Sequence, residues 1–495
     1  MNPAMNQEPK IRILVAIASY GRGNDKYLAQ LVHEYQSMSF DVHVVVLSNI
    51  QKDVGPGVEL VVGLPTRNPW TLPYGHKKIF AERLNAYDLF IYSEDDILIT
   101  EKNIRAFLKV SKVLPENAIA GFLRFEQSAD GGITHPDVLG TYHWEPGSVQ
   151  SHGEYKFAHF TNEHSGCYII SREQLQRAIN SGGFLVGPHQ RKYDLLCAAA
   201  TDPYTQCGLR KLICISHLED FLVHHTANKY IQTVYGVPSC EMSRQVQALL
   251  GISGNGHRPQ SLFATETSLV GSLFSKDYYE PIKAEVISAI PCGAKSILSL
   301  GCGWGTTEAW LAAKGLNVVA VPLDGVIHGG ASAGTIEIAE GDFETVRGKL
   351  KGRKFDCLLV SNVLHLVDDP IKVLTMFAEL LTPGGLAIIV VPNLLRFKAT
   401  YAVAKKVASY SHVRLPIILM KMFGAEWFRS LGNFEETGAR ATSHKTLRNW
   451  AAAAGLKLER TIDLLPPRAL RASRATMGLL DSVMADELIA FARRT

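Results

Sequence analysis

Residues 297–305 read Ile-Leu-Ser-Leu-Gly-Cys-Gly-Trp-Gly, a short apolar run that passes into three alternating glycines. The next residues, 306–314, have the pattern of a helix that Gly315 ends. Glycines directly after a buried strand let the backbone turn sharply and approach a ligand closely, and the first N–H groups of the following helix remain available as donors. Residues 301–305, the glycine turn, therefore predict a cofactor pocket.

An α/β alternation surrounds the glycine turn. A second predicted strand, residues 317–321, leads to Asp324, which lies about 20 residues past the glycines, where an acid that binds ribose is expected. The alternation continues with a strand at 335–338, a strand at 355–361, a helix at 371–381 and a strand at 386–391. This half of the chain is therefore predicted to form a doubly wound α/β sheet.

The composition bounds the class of protein. With 495 residues the chain is too long for one hydrophobic core, which favours two or three domains. Its 46% of hydrophobic and 20% of charged residues are typical of a globular protein, and a net charge of +4 is too small to predict a nucleic-acid partner. Eight cysteines without a C-x-x-C pair favour free thiols in a reducing compartment over disulfides or a zinc site.

The N-terminal residues and the longest apolar runs bear on location. Residues 1–12 are polar and do not have the form of a signal peptide. We find no apolar run that reaches the roughly 18 to 20 residues of a membrane span. The sequence therefore predicts a soluble, cytoplasmic protein.

The first half of the chain also reads as α/β, with strands at 11–19, 40–47, 57–62 and 87–93. Ligands of such sheets bind beyond the carboxyl ends of the strands, and the fourth strand leads directly into Glu94-Asp95-Asp96, the acid turn. Three adjacent acids repel one another, and a hard divalent cation would relieve that repulsion. The alternative is a solvated turn, or a cap for a helix at 101–112.

On these residues, the stretch of about 10–235 resembles glycosyltransferases of the GT-A fold, in which an acidic motif binds the Mn²⁺ or Mg²⁺ that bridges the diphosphate of a nucleotide sugar. The resemblance implies that Asp96 binds the metal and that Glu94 and Asp95 lie at the nucleotide sugar. It also implies that the turn after the first strand, with Ala18, Ser19 and Tyr20, meets the nucleotide.

Two further residues follow from this resemblance. Glycosyl transfer needs a carboxylate that deprotonates the acceptor hydroxyl, or a nucleophile if configuration is retained. Asp194 is most similar in position to the acid that opens a helix in inverting members, and the other candidates are Asp202 and residues 219–220. Some members return a histidine to the metal, which His225 resembles, with a buried, hydrogen-bonded histidine as the alternative.

From about residue 278 onward the chain resembles class I S-adenosylmethionine-dependent methyltransferases. The resemblance rests on the order of the glycine turn, an acid after the second strand, Gly341-Asp342-Phe343, a segment at Asn362, and Pro-Gly-Gly at 383–385. It implies that the cofactor is bound by Gly301, Gly303, Gly305, Asp324, Asp342, Phe343 and Asn362. Two positions depart from the family pattern, since Pro322 and Ser299 stand where members usually carry acids.

Methyl transfer to a hydroxyl often needs a base, and His365 is the best-placed histidine, with a cap for the turn at 368–370 as the alternative. The Asn-Pro-Pro-aromatic signature of many nucleic-acid amino-methyltransferases is absent, which argues for an oxygen acceptor. The basic, apolar residues 394–423 indicate a lid over that acceptor or, second, contact with a membrane surface or with phosphate-bearing acceptors.

Together these patterns predict two α/β domains, a GT-A-like domain at 1–240 and a Rossmann-like methyltransferase domain at 276–495, joined by a linker at 241–275. The predicted function is transfer of a sugar to a glycan or lipid-linked saccharide, together with O-methylation of a glycan or sugar. One alternative is a methyltransferase whose first domain binds glycans without catalysis. Another is a dehydrogenase, because alternating glycines also suit NAD. The sequence leaves the oligomeric state open.

Overall fold

The computed structural model describes residues 10–231, 236–252, 276–323, 325–332, 336–394, 439–466, 469–478 and 481–495. The chain divides into two compact units. The N-terminal unit comprises Met1–Val138 and His143–Gly256, and the C-terminal unit comprises Leu139–Tyr142 and His257–Thr495. Asp324 and the basic residues from 395 to 438 lie outside the described residues.

The N-terminal unit contains three sheets. Its strands are β1 (Arg12–Ala18), β2 (Asp41–Ser48), β3 (Glu59–Val62), β4 (Leu89–Glu94), β5 (Ile97–Leu98), β6 (Ala118–Ala120), β7 (Leu123–Gln127), β8 (Ile133–His135), β9 (Trp144–His152), β10 (Tyr155–Phe160), β11 (Cys167–Ser171), β12 (Arg210–Cys214), β13 (Leu222–His225) and β14 (Val237–Pro238). The sheet orders are β11-β4-β1-β2-β3, β6-β12-β10-β9 and β14-β8-β7-β13-β5.

The helices of this unit are α1 (Asp25–Ser37), α2 (Gly75–Glu82), α3 (Glu101–Ser111), α4 (Arg172–Asn180), α5 (Leu195–Thr205) and α6 (Ser239–Ile252), with 3-10 helices at Pro69–Tyr74, Leu84–Ala86 and Ile215–Phe221. Helix α6 lies where the linker was predicted to begin, so residues 241–252 are helical. Helix α3 is capped by Thr100, whose side chain accepts from the N–H of Asn103. The acid turn is therefore not the cap of that helix.

The central strands β1 to β4 are parallel, and β1 is buried at six of its seven residues because helices and other elements cover both faces. In the β1–β4 register, Ala18 pairs with Glu94, so the residues that follow both strands meet at one edge. In the third sheet, His225 of β13 pairs with Ile97 of β5. The acid turn lies between β4 and β5, and these two registers bring the end of β1 and the end of β13 to it.

The C-terminal unit has one sheet of seven strands in the order β17-β16-β15-β18-β19-β21-β20. The strands are β15 (Ser296–Cys302), β16 (Asn317–Pro322), β17 (Glu337–Ile338), β18 (Phe355–Ser361), β19 (Leu381–Pro392), β20 (Leu456–Leu464) and β21 (Glu487–Arg494). The helices are α7 (Ala284–Ala289), α8 (Thr306–Ala313), α9 (Gly329–Ser332), α10 (Phe343–Lys349), α11 (Pro370–Ala378), α12 (His444–Ala453), α13 (Leu470–Ala475) and α14 (Asp481–Met484).

Strands β15 to β19 are parallel, and β21 runs antiparallel to both of its neighbours, β19 and β20. The predicted doubly wound sheet is confirmed, with β15 as an interior strand next to the central β18 and the glycine turn at the carboxyl end of β15. The helix predicted at 371–381 ends at Ala378, and Pro383–Gly385 lies inside β19, where Gly384 has φ +74. In the part of the chain that the structure describes, no helix has the length and apolarity to cross a bilayer.

Candidate functional site

The acid turn of the N-terminal unit is held by the residues that follow β1. Ser19 Oγ donates to Asp95 Oδ2 over 2.5 Å and accepts from Lys52 Nζ over 2.7 Å. Asn24 Nδ2 donates to Asp95 Oδ1 over 2.7 Å and to Asp96 Oδ2 over 3.3 Å. The predicted residues Ser19, Asp95 and Asp96 therefore lie together, and Asn24 and Lys52 join them.

Asp96 is paired with two cationic or ionisable side chains of the same unit. Its Oδ2 accepts from Lys229 Nζ at 2.7 Å and lies 3.3 Å from His225 Nε2. Although burial raises the pKa of Asp96, the hydrogen bonds from His225 and Lys229 outweigh it and lower that pKa to about 2. Asp96 is therefore an anion throughout the neutral range.

The other ring nitrogen of His225 faces a second carboxylate. His225 Nδ1 lies 2.5 Å from Oε1 of Glu126, which is fully buried, and Glu126 Oε2 accepts from the N–H of Tyr230 over 2.9 Å. A histidine that binds a metal needs one ring nitrogen without a proton that points at the ion. Here both ring nitrogens point at carboxylate oxygens, Nε2 at Asp96 and Nδ1 at Glu126.

This arrangement does not fit the predicted Mn²⁺ or Mg²⁺ site. The two predicted ligands, Asp96 and His225, are neighbours, but they contact each other and Lys229. Among the described residues, no group of three or more His, Cys, Asp and Glu side chains is arranged to hold a metal ion. As the site stands, its positive charge comes from side chains.

Glu94, the first residue of the acid turn, differs from its neighbours. Its Oε1 is buried and has no hydrogen-bond partner among the described residues. Burial, followed by the charge of Asp96, raises the pKa of Glu94 to about 8. Gly166 has φ +64, and a Cβ added there would lie 3.3 Å from Glu94 Oε2, so a glycine leaves room for this carboxyl group. Burial therefore favours the protonated form of Glu94.

The remaining predicted residues of this unit are Ala18, Tyr20 and Asp194. Ala18 is buried in β1, and Tyr20 has 56% of its surface exposed. Asp194 opens helix α5, as predicted, but its Oδ1 accepts from the N–H of Cys197 over 2.8 Å as the helix cap. Burial and then the charges of Asp194 and Glu94 raise the pKa of the Cys197 thiol, which places these three groups in one region. A role of Asp194 as base stays a prediction.

In the C-terminal unit, each glycine of the glycine turn is in contact with another segment. A Cβ added at Gly301 would collide with the side chain of Val363, one at Gly303 with the backbone of Tyr278, and one at Gly305 with Ala331. Gly301 and Gly305 also have φ of +74 and +93, which favour glycine. The packing of the protein itself therefore requires all three, and their predicted contact with a cofactor stays a prediction.

A buried ionic network lies beside this turn. Glu280 is within 2.6 Å of Lys276 Nζ and 2.5 Å of Lys283 Nζ, and it accepts from Ser361 Oγ at the end of β18 over 2.9 Å. Lys283 also lies 3.2 Å from Glu487 at the start of β21. Burial raises the pKa of Glu280, but the two lysines hold it well below its usual range. Glu280 is therefore negatively charged at neutral pH.

Asn362 connects this network to the glycine turn. Its Nδ2 donates to Glu487 Oε1 over 2.6 Å and to Glu280 Oε2 over 3.4 Å, while its Oδ1 is buried and has no partner among the described residues. The backbone of Asn362 has φ +53, a conformation that asparagine tolerates better than most residues. The next residue, Val363, packs on Gly301.

Ser299, where family members usually carry an acid, has an acid as its partner. Its Oγ donates to Oε1 of Glu308 over 2.5 Å, and burial raises the pKa of Glu308, which lies in the first turn of α8. Trp304 in the glycine turn has a buried Nε1 without a hydrogen-bond partner among the described residues. The acceptor Asn362 Oδ1 and the donor Trp304 Nε1 are thus both buried without a partner among the described residues. The ammonium of a methionine group could donate to the first, and its carboxylate could accept from the second.

The other predicted residues of this unit are placed as follows. Asp342 is exposed and caps α10, because its Oδ1 accepts from the N–H of Thr345 over 2.7 Å, and this bond lowers the pKa of Asp342. Phe343 packs edge-on against Phe377 with centroids 6.0 Å apart. His365, the predicted base, is fully buried in the turn after β18. Its use as a base requires that an acceptor reach into that turn.

Sequence reasoning missed Lys276, Glu280, Lys283, Glu308 and Glu487 in this unit, and Asn24, Lys52, Glu126 and Lys229 in the N-terminal unit. One weak signal was present. Lys276, Glu280 and Lys283 alternate in sign at spacings of four and three residues, which is also the pattern of an exposed helix. Asn24 and Glu308 follow β1 and β15 closely in sequence, but no pattern marks them. The others come from distant elements, so only the fold brings them to the sites.

Comparison with known proteins separates the two units. Two solved structures are similar to parts of the chain. An S-adenosylmethionine-dependent methyltransferase from Mesorhizobium loti is 18% identical, with 42% of this chain and 95% of that chain covered and a TM-score of 0.29. The N-methyltransferase NodS from Bradyrhizobium japonicum WM9, in complex with S-adenosyl-L-homocysteine, is 14% identical, with 41% and 78% covered and a TM-score of 0.26. No curated protein matches the chain.

One family model matches the sequence. It is described as a methyltransferase domain and covers residues 274–461, which is less than half of the chain. This part of the chain is a methyltransferase domain. The match lies wholly in the C-terminal unit, so it does not bear on the glycosyltransferase predicted for the N-terminal unit.

Proposed function

We propose that the C-terminal unit transfers a methyl group from S-adenosylmethionine to an oxygen atom. The observation that carries this proposal is the buried Oδ1 of Asn362, which lacks a partner among the described residues. Asn362 directly precedes Val363, which packs on Gly301 of the glycine turn. When bound, the cofactor supplies a methyl group on a sulfonium, which is activated for attack by a nucleophile.

The residues of the unit would act by binding and orientation. Asn362 would accept from a donor of the bound molecules, Trp304 would donate from Nε1, and Glu308 would contribute a carboxyl group beside Ser299. Asp342 and Phe343 would bind the adenine, and Asp324 the ribose. Holding the reacting atoms in line is a large part of catalysis in such transfers.

The oxygen acceptor is proposed from the segment after β18. It reads Ser361-Asn362-Val363-Leu364 where amino-methyltransferases of nucleic acids carry Asn-Pro-Pro and an aromatic residue. We propose a glycan or another sugar as the acceptor, with His365 as the base.

Calorimetric titration of the full chain with S-adenosylmethionine, S-adenosylhomocysteine and NAD tests the cofactor. We expect binding of the first two and none of NAD. Binding of NAD alone would support the dehydrogenase instead. Mass spectrometry of products from a panel of sugars and glycans, with and without the methyl donor, then tests for a gain of one methyl group on oxygen.

We propose, as a second function, that the N-terminal unit transfers a sugar from a nucleotide sugar to a glycan or lipid-linked saccharide. The observation that favours it is the acid turn at the carboxyl ends of β1 and β4, with Lys229 on Asp96 and with half of the lysine side chain exposed. A nucleotide diphosphate is a good leaving group only when its negative charge is neutralised, and basic side chains can do this.

Release of nucleoside diphosphate from a panel of nucleotide sugars tests this second function, first in EDTA and then with Mn²⁺. The variant Asp96→Ala should lose the release. If Asp96→Ala transfers sugar like the wild type, or if the chain binds glycans and releases no nucleotide, the N-terminal unit is a glycan-binding module. Whether both units act on one product, in the cytoplasm as predicted, is part of the same proposal and rests on their fusion in one chain.

A further inference from the structure

The amide of Asn362 can be assigned one orientation from its surroundings. Its Nδ2 faces Glu487 Oε1 at 2.6 Å and Glu280 Oε2 at 3.4 Å. The reverse orientation would place the carbonyl oxygen against two carboxylates, which accept hydrogen bonds and donate none when ionised. The two carboxylates therefore select the orientation in which Nδ2 is used and Oδ1 is left for another molecule.

Lysines pair with both carboxylates, and they hold the pKa of Glu280 well below its usual range. Lys283 Nζ lies 2.5 Å from Glu280 and 3.2 Å from Glu487, and Lys276 Nζ lies 2.6 Å from Glu280. Lys276 is almost completely buried and also donates to the backbone oxygen of Ser361 over 2.9 Å. This network joins the residues before α7 to the ends of β18 and β21.

The backbone of Asn362 is held as firmly as its side chain. Its N–H donates to the carbonyl of Val390 in β19 over 2.9 Å, and Val363 fills the space that a side chain at Gly301 would occupy. The amide oxygen is therefore presented from a rigid turn. An acceptor atom that is buried and fixed before a ligand arrives costs little entropy when a donor binds it.

We propose that Glu487 is the positioning residue for Asn362: it sets the orientation of the amide, so that Oδ1, and not Nδ2, meets the N–H or O–H donor in the methyl-transfer pocket. This inference rests on the proposed methyl transfer. The donor has two sources of the same chemistry, the α-ammonium of the cofactor and the nucleophilic group of the acceptor.

Three ligands distinguish these sources in the full chain. S-Adenosylhomocysteine carries the α-ammonium, whereas 5′-methylthioadenosine lacks the whole amino-acid group, and the acceptor is the sugar identified in the product panel. The variant Asn362→Gly keeps the positive φ and removes the amide. Glu487→Gln removes a charge without changing the size of the side chain. Glu459→Gln is the matched control, since Glu459 is an exposed carboxylate on the neighbouring β20 that pairs with Arg493.

If the donor is the ammonium, Asn362→Gly should weaken S-adenosylhomocysteine about tenfold and leave 5′-methylthioadenosine unchanged, as loss of a hydrogen bond to a charged group predicts. If the donor belongs to the acceptor, both nucleosides should bind as before and the KM for the acceptor should rise about tenfold. Glu487→Gln should show a smaller change of the same kind, and Glu459→Gln none.

Equal weakening of both nucleosides would overturn the inference, because it would show a general loss of structure. Unchanged binding together with unchanged KM in Asn362→Gly would overturn it as well. If that variant does not fold, unchanged values in Glu487→Gln decide against the positioning role. A wild-type chain that binds neither S-adenosylmethionine nor S-adenosylhomocysteine would instead refute the proposed function itself.

Discussion

The acid turn and the glycine turn occupy equivalent places in their sheets, at the carboxyl ends of central parallel strands, but their polar groups are in different states. At the acid turn, Asp95 and Asp96 are already bound by Ser19, Asn24, His225 and Lys229. Beside the glycine turn the charged groups neutralise one another, and Asn362 keeps an acceptor atom without a partner among the described residues.

The difference indicates how each site would receive a ligand. At the acid turn a ligand has to displace a side chain, and Lys229, with its side chain 53% exposed, is the one best able to move. Beside the glycine turn the network only holds the acceptor atom in place, so no hydrogen bond from a described residue to that atom has to be broken when a ligand binds. Pre-organisation of this kind lowers the cost of binding.

The largest effect is expected from Gly303→Ala in the C-terminal unit. The added methyl would collide with the backbone of Tyr278, whose carbonyl accepts from the N–H of Trp304 over 2.7 Å. Since backbone cannot step aside as a side chain can, we expect a loss of about 3 kcal/mol in unfolding free energy and loss of methyl transfer. Urea unfolding measures the first, and mass spectrometry of the methylated product measures the second.

The matched control is Gly348→Ala in α10, where an added methyl has no atom within 4 Å. It should leave methyl transfer unchanged and shift the unfolding free energy by less than about 1 kcal/mol, toward higher stability. If Gly303→Ala behaves like this control, the close contact between Gly303 and the backbone of Tyr278 is not required for stability or for methyl transfer.

Lys229→Ala should have the next largest effect, on the N-terminal unit. Removing the ammonium leaves Asp96 with His225 and Asn24, and a diphosphate would then meet uncompensated negative charge. We expect the affinity for UDP, as a probe diphosphate, to fall about tenfold to a hundredfold in EDTA, as loss of a charged hydrogen bond predicts. Mn²⁺ should restore part of it in the variant and add little in the wild type.

Lys102→Ala is the control, because Lys102 also pairs with an aspartate, Asp220, but lies exposed on α3. A wild-type chain that binds UDP only with Mn²⁺ would show that the side chains of the acid turn rearrange round a metal. It would also restore Asp96 and His225 as the predicted ligands.

The sequence predicted the central strands of both sheets and the position of both turns. Strands β1, β2 and β4 and strands β15, β16 and β18 are long apolar runs, and their burial on both faces produces that pattern. Ser19, Asp95, Asp96 and His225 were predicted to be close together, and they are. What sequence alone could predict was thus the place where strands end.

The partners of these residues could not be predicted, because they come from short or distant elements. β5, β13 and β14 have only two to four residues each, too few for a period to be recognised. Residues 481–493 suited helix or strand, since β21 is buried on both faces between β19 and β20. Glu126 and Glu487 reach the sites only through these strand pairings.

A smaller effect should follow from pH. Burial holds the pKa of His76 and of His164 at about 3 and that of His135 at about 4, far below the usual value, so all three are neutral in the folded N-terminal unit near neutral pH. Above about pH 6.5 neither state binds the proton. Below about pH 6.5 the unfolded chain binds the proton and the folded unit does not. The free energy of unfolding therefore decreases as the pH is lowered, by about 1 kcal/mol per histidine at pH 5.5.

Urea unfolding at pH 7.5 and 5.5 measures this loss, and His76→Gln should reduce the difference between the two pH values by about a third. His217→Gln serves as control, because His217 is exposed beside Ser216. Equal loss of stability in the wild type, His76→Gln and His217→Gln would show that His76 is not one of the acid-sensitive groups.

The smallest effect is expected from Asp342→Ser. Serine caps a helix about as well as aspartate, so α10 should keep its stability within about 0.5 kcal/mol. Its side chain is shorter and uncharged, so a contact of the Asp342 carboxylate with the adenine amino group would be lost. We expect S-adenosylhomocysteine to bind a few-fold more weakly, with Asp369→Ser as the control, since Asp369 caps α11 in the same way and is equally exposed. Identical affinities in the two variants would leave Asp342 with the role that its bond to Thr345 already shows, that of a helix cap, and would place adenine recognition on other residues of the C-terminal unit.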